Sequence, residues 1–273
     1  MSRSEDLAKS RAASDAAKDI RIRPVTAMAE FERCVEVQLA VWGYSDGDLV
    51  PKRVFIVADR IGGQVIGAFD QNVLVGFAMA LPGYRDGRPY LHSHMLAVLP
   101  EYRNNGLGRR LKLAQRNDAL ARGFDRMEWT FDPLEIKNSY LNLARLGVVV
   151  RRYIRDFYGP TTSPLQGGLP TDRLVAEWWL RSARVRRLLG EQIAGEEMAQ
   201  TAAAPESVVE RVAVSCEIHN WKRSPEQRNL AEQLQTSTRL ALESAFAHGL
   251  AITGYERAAH GDGCFLLGPV SGI

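Results

Sequence analysis

The stretch from Tyr90 to Gly123 constrains the fold more than any other part of the sequence. Tyr90–Leu99 reads as a strand. A polar loop follows at 100–105, and Gly106–Ala121 reads as a helix ended by Gly123. A strand that feeds a helix through a glycine-bearing loop requires an architecture in which sheet and helix pack in layers. It also makes an anion site. The N–H groups of the first turn lack partners within the helix, and they stand at the positive end of its dipole. Gly106 and Gly108 carry no Cβ, so phosphate oxygens can approach the main chain closely. Arg103, Arg109, Arg110 and Lys112 place positive charge nearby.

The remaining periodicity is consistent with that architecture. Ile20–Val25 alternates and suits a first strand, with Thr26 as cap of a helix whose stripe is Met28, Phe31, Val35 and Leu39. A second helix is expected over Pro51–Asp59, ended by Gly62-Gly63. Gln64–Phe69 and Val73–Leu81 read as antiparallel strands around Asp70-Gln71-Asn72, and Pro82–Arg88 reads as a turn. After the central helix come a strand at Arg126–Phe131, a helix at Asn138–Leu146 ended by Gly147, and a strand at Val148–Ile154. The order is β-α-α-β-β-β-α-β-α-β.

Leu174–Leu180 reads as a further strand, with Ser182 capping a helix over 183–192. A linker is expected near 193–206. Val208–Ile218 alternates as a strand. Ser224-Pro225-Glu226-Gln227 has the form of a capping box, opening a helix with apolar Leu230, Leu234, Ala241, Leu242 and Phe246 that Gly249 closes. Leu250–Tyr255 and Cys264–Leu267 form a final hairpin. The expected domains are therefore a tail at 1–19, a domain at 20–160, and an extension with β-α-β character at 161–273.

Bulk properties narrow the function. The net charge of +3 does not argue for nucleic acid or a membrane surface. No apolar run reaches the roughly 20 residues of a spanning helix, and residues 1–19 contain no apolar core of a secretory signal. The three cysteines, Cys34, Cys216 and Cys264, have neither a disulfide nor a zinc spacing, which fits thiols in a reducing cytoplasm.

One rival reading of the glycine loop is a dinucleotide site, because Gly106-Leu107-Gly108 begins G-x-G and Glu128 lies 22 residues on. The third glycine position is Leu111, however, and seven residues separate Val98 from Gly106, too many for that tight turn. The run Leu96-Ala97-Val98-Leu99-Pro100-Glu101-Tyr102-Arg103-Asn104-Asn105-Gly106-Leu107-Gly108 resembles instead the acetyl-CoA signature of the GNAT superfamily, LAV-x-P-x-(Y/R)-R-x-x-G-x-G. The resemblance covers about residues 20–160. It implies an α/β (α+β) fold: a mixed, mostly antiparallel sheet with helices on both faces. It implies an acyl-CoA-dependent N-acyltransferase that uses acetyl-CoA or another acyl-CoA and needs no metal. Backbone groups of Leu96, Ala97 and Val98 would hold the acyl and pantetheine part. The loop and first turn, Arg103, Asn104, Asn105, Gly106, Leu107, Gly108 and Arg109, would hold the diphosphate. Asn138 and the helix end Leu146-Gly147 resemble the later "N…LG" segment of the family. One position departs: where many members carry a tyrosine that protonates the leaving thiolate, this chain has Leu143. Tyr140, Tyr153 and Tyr158 are the available substitutes.

Attack of an amine on a thioester needs a proton acceptor for the amine and a donor for the carbonyl oxygen. Acceptor candidates are His92 and His94 on the strand before the loop, Glu128 and Asp132 on the next one, and Glu177 later. Each has an ordinary alternative: packed histidines, a surface glutamate, and turn chemistry at Asp132-Pro133. Ser93, His94 and Asp132 do not lie in a G-x-S-x-G hydrolase pattern. Trp129, Trp178 and Trp179 read as core. The expected acceptor is a small-molecule amine or an amino acid, with acetyl or succinyl as the acyl group. A non-catalytic acyl-CoA-binding subunit and a homo-oligomer stay open.

Overall fold

A computed structural model describes residues 19–44, 47–161, 163–191 and 207–270. The tail expected at 1–19 lies outside them but for Asp19, and so does the linker near 193–206. The chain divides into two compact units, Met1–Phe124 and Asp125–Ile273.

The first unit holds β1 (Arg21–Pro24), α1 (Met28–Trp42), α2 (Lys52–Arg60), β2 (Gln64–Asp70), β3 (Val73–Arg85), β4 (Arg88–Val98) and α3 (Leu107–Ala121). Its strands lie in the order β1-β2-β3-β4, each antiparallel to its neighbours. Gln64–Phe69 and Leu74–Ala80 are all buried. Successive side chains of a strand point to opposite faces, so both faces of this sheet are covered. On one face, the Gln64 amide donates to the Gln115 carbonyl (2.8 Å) and to Asp118 (2.7 Å), both on α3. On the other, Phe77, paired across from Gly67, meets Phe55 of α2 edge-on at 5.3 Å.

Local chemistry departs from expectation at three places here. Thr26 does not cap α1 through its side chain; Glu30 accepts from the N–H groups of Thr26 (3.0 Å) and Ala27 (3.3 Å) instead. Glu30 also receives Arg23 at 2.6 Å, and that hydrogen bond holds its carboxyl down to about 2. The turn expected over Pro82–Arg88 is much tighter. β3 runs on to Arg85 and β4 begins at Arg88, because Asp86 (φ 52°) and Gly87 (φ 74°) both take the left-handed conformation that a two-residue hairpin needs. Finally, Gly106 stands before α3 as its N-cap (φ 74°) and is not a helical residue.

The second unit holds β5 (Arg126–Phe131), α4 (Ile136–Ser139) running into a π-helical stretch (Tyr140–Arg145), β6 (Val149–Ile154), β7 (Arg173–Trp179), α5 (Ala183–Leu189), β8 (Glu210–Val214), α6 (Ile218–Trp221), α7 (Arg228–Ala247), β9 (Ala251–Arg257) and β10 (Gly263–Gly268). Its strand order is β5-β7-β6-β9-β10-β8, antiparallel at every pairing within the unit. The division expected at residue 160 falls inside this sheet, between the paired strands β6 and β7. Trp129 and Trp178 are core residues, packed edge-on at 5.7 Å.

The helix expected over 138–146 widens into π geometry, with the Leu146 N–H donating to the Leu141 carbonyl. The widening accompanies burial of Asn142, whose Oδ1 accepts from the Trp129 indole at 3.3 Å. The strand expected to reach Ile218 stops at Val214, since the Cys216 N–H turns to the Asp262 carboxylate at 2.8 Å. Ser224 makes no side-chain cap; Pro225–Gln227 form a 3-10 turn ahead of α7. The buried stripe of α7 is Ala231, Gln235, Thr238, Leu242 and Ala245, rotated from the apolar one expected, and Leu230 is exposed. Burial of Gln235 is offset by its hydrogen bond to the Pro170 carbonyl at 2.9 Å.

Candidate functional site

In the first unit, β4 carries a β-bulge. Met95 pairs with Met79 and Ser93 with Ala80, which leaves His94 as the extra residue of the bulged strand. Bulges re-aim side chains, and this one lies just ahead of Leu96-Ala97-Val98. Ala97 is buried, while Leu96 and Val98 are half-buried. His92 and His94 are 6.2 Å apart between ring centroids, and neither imidazole has a hydrogen-bond partner among the described residues. Burial pushes the His92 imidazolium down to about 4, with His94, Lys112 and Arg85 adding repulsion. Burial lowers His94 in the same direction. Both rings are therefore neutral near pH 7, the form in which a histidine can accept a proton.

Beyond Val98 the chain makes a short 3-10 turn, Pro100–Tyr102, closed by the Tyr102 N–H on the Leu99 carbonyl (3.0 Å) and the Arg103 N–H on the Pro100 carbonyl (3.2 Å). The Tyr102 hydroxyl donates to Asp70 at 2.7 Å, and the Arg103 Nε donates to the Val98 carbonyl at 2.9 Å. Asn104 (φ 65°) and Gly106 (φ 74°) are both left-handed. Among the described residues, no acceptor engages the N–H groups of Asn104, Asn105, Gly106, Leu107 or Gly108. A Cβ built on Gly106 would meet nothing within 4 Å, and one on Gly108 would meet only Leu96 at 3.7 Å. The loop thus presents five unengaged main-chain donors, with open space at Gly106, which fits a diphosphate.

The four expected cations separate. Arg103 and Arg109 stand at the loop and the first turn. Arg110 is tied to the residue just before β1, through the Ile20 carbonyl at 2.6 Å. Lys112 does not face the loop at all: it is buried, and its Nζ donates to Ser93 Oγ at 2.7 Å, which in turn donates to Gln115 at 2.9 Å. Burial lowers this lysine well below its usual range. Its helical position, one turn from the loop, is on the inner face, where charge density in the sequence cannot show the direction.

In the second unit, Glu128 and Glu177 pair directly across β5 and β7, and both are buried. Arg152 reaches Glu128 at 3.0 Å and Glu177 at 3.8 Å, Arg126 lies 3.6 Å from Glu128, and Arg151 hydrogen-bonds to Glu177. Both candidate acids are thus engaged by arginine. The three arginines are not apparent as partners in the sequence, because strand register brings them together. Asp132 is likewise committed. One oxygen accepts from the Leu134 N–H (2.8 Å), closing the turn at Pro133, and the other holds Lys222 at 2.9 Å. Asn138 is exposed on α4. Tyr140 begins the π stretch with Arg257 over its ring at 5.7 Å. Leu143 is fully buried. Of the other tyrosines, Tyr153 donates to Asp172 at 2.6 Å and Tyr158 shares a hydrogen bond with Thr130 at 2.9 Å. The contact between Tyr102 and Asp70 was missed in the sequence; the only signal was a tyrosine beside the loop, with Asp70 reading as turn chemistry alone.

Among the described residues no helix is long and apolar enough to cross a membrane, and no group of three or more His, Cys, Asp or Glu is placed to hold a metal. Residues 31–138 match the family model described as Acetyltransferase (GNAT) family. Curated protein sequences give no match. Solved structures of similar fold include the ribosomal-protein-S18-alanine N-acetyltransferase from Escherichia coli (15% identity, 65% of this chain and 97% of that one, TM-score 0.48). Aminoglycoside 6′-acetyltransferase type Ii is similar as well (20% identity, 59% and 97%, TM-score 0.47). So is yncA from Salmonella typhimurium, solved with its cofactor acetyl-CoA (18% identity, 65% and 98%, TM-score 0.48). The glycine loop and the bulged strand before it both lie within residues 31–138, the segment that matches the GNAT acetyltransferase family model.

Proposed function

We propose that this protein moves an acetyl or other short acyl group from coenzyme A to the amine of a small molecule, amino acids included, by direct attack within a ternary complex. One observation carries the reading: no acceptor among the described residues engages the N–H groups of residues 104–108, and the space at Gly106, at the entrance of α3, is open. These donors suit the diphosphate, and Arg103 and Arg109 suit its charge. The thioester supplies an activated carbonyl and a thiolate leaving group. The chain supplies the rest. Main-chain groups of Leu96, Ala97 and Val98 align the acyl and pantetheine part. His94, at the bulge, takes the proton of the attacking ammonium. Its neutral state near pH 7, held by burial, is the protonation state this role needs. Glu128 and Asp132 serve that role less well, since their carboxylates are already engaged by arginine and lysine.

Leu143 favours one second reading, an acyl-CoA-binding subunit without turnover, because it stands where many relatives carry the acid for the thiolate. A thiol has an ordinary pKa near 8.5, so a thiolate leaves fairly well unaided, which keeps the enzymatic reading first. Thiol release from acetyl-CoA and succinyl-CoA, measured against a panel of amines and amino acids, decides between them. Turnover with at least one acceptor is expected, and His94→Gln is expected to lower kcat by about 10²–10⁴ with coenzyme A affinity within about threefold. Tight coenzyme A binding with no acceptor turned over supports the second reading. Full activity in His94→Gln removes His94 as the base.

A further inference from the structure

The loop that offers the main-chain donors is anchored by a side-chain bond from outside it. Tyr102 ends the 3-10 turn, its ring packs against the core of the first unit, and its hydroxyl donates to Asp70 at 2.7 Å. Asp70 is the last residue of β2, and the left-handed Gln71 (φ 53°) begins the hairpin to β3. The bond therefore ties the loop entrance to a rigid hairpin of the sheet. A second tie follows at once, from the Arg103 Nε to the Val98 carbonyl at 2.9 Å. On the far side, the loop is fixed where the Arg110 N–H closes the first helical turn on the Gly106 carbonyl at 3.0 Å. Between these points Asn104 and Asn105 have no main-chain hydrogen bonds of their own through N–H, and Asn104 is held left-handed at 65°. The direction of their N–H groups is set by the fixed ends alone. A loop in this state loses directional precision when one end is released, although the core beneath it stays packed.

We propose that the Tyr102–Asp70 bond is a positioning device for the diphosphate loop, fixing the entrance so that the N–H groups of residues 104–108 converge on one anion. The inference rests on the reading of that loop as the coenzyme A site. Neither side chain touches the anion; both act through the main chain. The hydroxyl stays protonated over the working range, since its hydrogen bond to Asp70 pushes it up to about 12.

The test is calorimetric titration of the full chain with coenzyme A, alongside thermal melting. Tyr102→Phe keeps the packed ring and removes the hydroxyl. It is expected to weaken coenzyme A binding about 5- to 20-fold, with the melting temperature lowered by no more than about 6 °C. Asp70→Ala is expected to match it, and the double variant to bind no worse than either single, because both remove one bond. Asp70→Asn retains an acceptor oxygen and is expected to bind within about threefold of the parent. Tyr102→Phe binding as tightly as the parent, or losses that multiply in the double variant, overturn the positioning role and leave the coenzyme A reading intact. A parent protein that does not bind coenzyme A overturns that reading, and this inference with it.

Discussion

Replacing Gly106 by alanine separates what the loop needs for folding from what it needs for its ligand. Gly106 is left-handed at φ 74°, and a Cβ there meets no atom of the protein within 4 Å. No clash contributes, so the folding cost comes from the backbone alone. The left-handed conformation costs an L-residue about 1–2 kcal/mol. Alanine also restricts the unfolded chain, which returns about 0.4–1 kcal/mol. The net is a loss of about 0–1.6 kcal/mol, or a fall in melting temperature of about 0–6 °C for a chain of this size. Affinity should respond far more. On the proposed reading, the open space at Gly106 is where a diphosphate would approach the main chain, and a methyl group there would hold it off. Coenzyme A binding should weaken by tenfold or more. Gly108→Ala is the control: it lies inside α3, its Cβ meets only Leu96 at the ordinary contact distance of 3.7 Å, and it should fold as stably as the parent or better. Melting and calorimetric titration of the two variants read both quantities. A Gly106→Ala protein that binds coenzyme A normally would refute the placement of the diphosphate. One that melts more than about 10 °C lower would refute the claim that the site is empty of protein contacts.

The remaining predictions concern stability. Because burial lowers His92 from 6.5 to about 4, the unfolded chain binds its proton first as pH falls. Its contribution is therefore complete above pH 6.5 and lost as pH drops toward 4, up to about 3 kcal/mol. Urea unfolding of the parent and His92→Gln across that window should show the parent losing stability more steeply; parallel curves would refute the burial. In the second unit Lys222 is 5% exposed, and Asp132 and Glu135 hold it at 2.9 and 3.4 Å. Lys222→Met leaves their carboxylates without that cation and should cost about 2–4 kcal/mol in urea unfolding. Glu256→Gln, which breaks the exposed pair with Arg211, should cost less than about 1 kcal/mol. Equal losses for the two would show that burial does not govern these pairs.

Local signals in the sequence carried the strands and helices well wherever alternation and punctuation agreed. Arg126–Phe131 forms the strand expected of it, and Gly123 and Gly147 lie just beyond the helices they were expected to end. The misplacements share a cause: a tertiary partner overrode the local pattern. Glu30 took the capping role from Thr26 because Arg23 holds its carboxylate beside the helix start. Cys216 left the strand pattern of 208–218 because Asp262, far away in sequence, captured its N–H. Gln235 turned a polar position inward because the Pro170 carbonyl awaited it. The helix face of α7 could not be chosen from apolar spacing alone, since two of its buried residues are polar.

The same distinction explains why the geometry of the loop is legible in the sequence while the partners of the candidate acids are not. An anion site of main-chain amides needs only a strand, a glycine in left-handed conformation and a helix start, all contiguous between Leu96 and Gly108. Its geometry follows from neighbours in sequence. Whether a carboxylate is free to take a proton depends instead on what lies across the sheet. Glu128 and Glu177 are 49 residues apart and face one another only through the β5–β7 register, and the arginines that engage them come from a third strand as well as from β5. Arg151 and Arg152 sit at a register shift of β6, between Val150 and Tyr153, where the simple alternation that would assign them to opposite faces fails. His94 occupies the corresponding irregularity in β4, between Met95 and Ser93. Strict alternation places His94 with His92 but says nothing of the bulge that singles it out. On the proposed reading both irregularities bear on the acid–base chemistry, one by pairing Glu128 and Glu177 with arginines and the other by setting His94 apart, and neither leaves a mark in composition or spacing. A base assignment in such a chain must therefore be made from strand register, and the loss of turnover in His94→Gln with coenzyme A binding retained is the measurement that separates a register-derived base from a packed histidine.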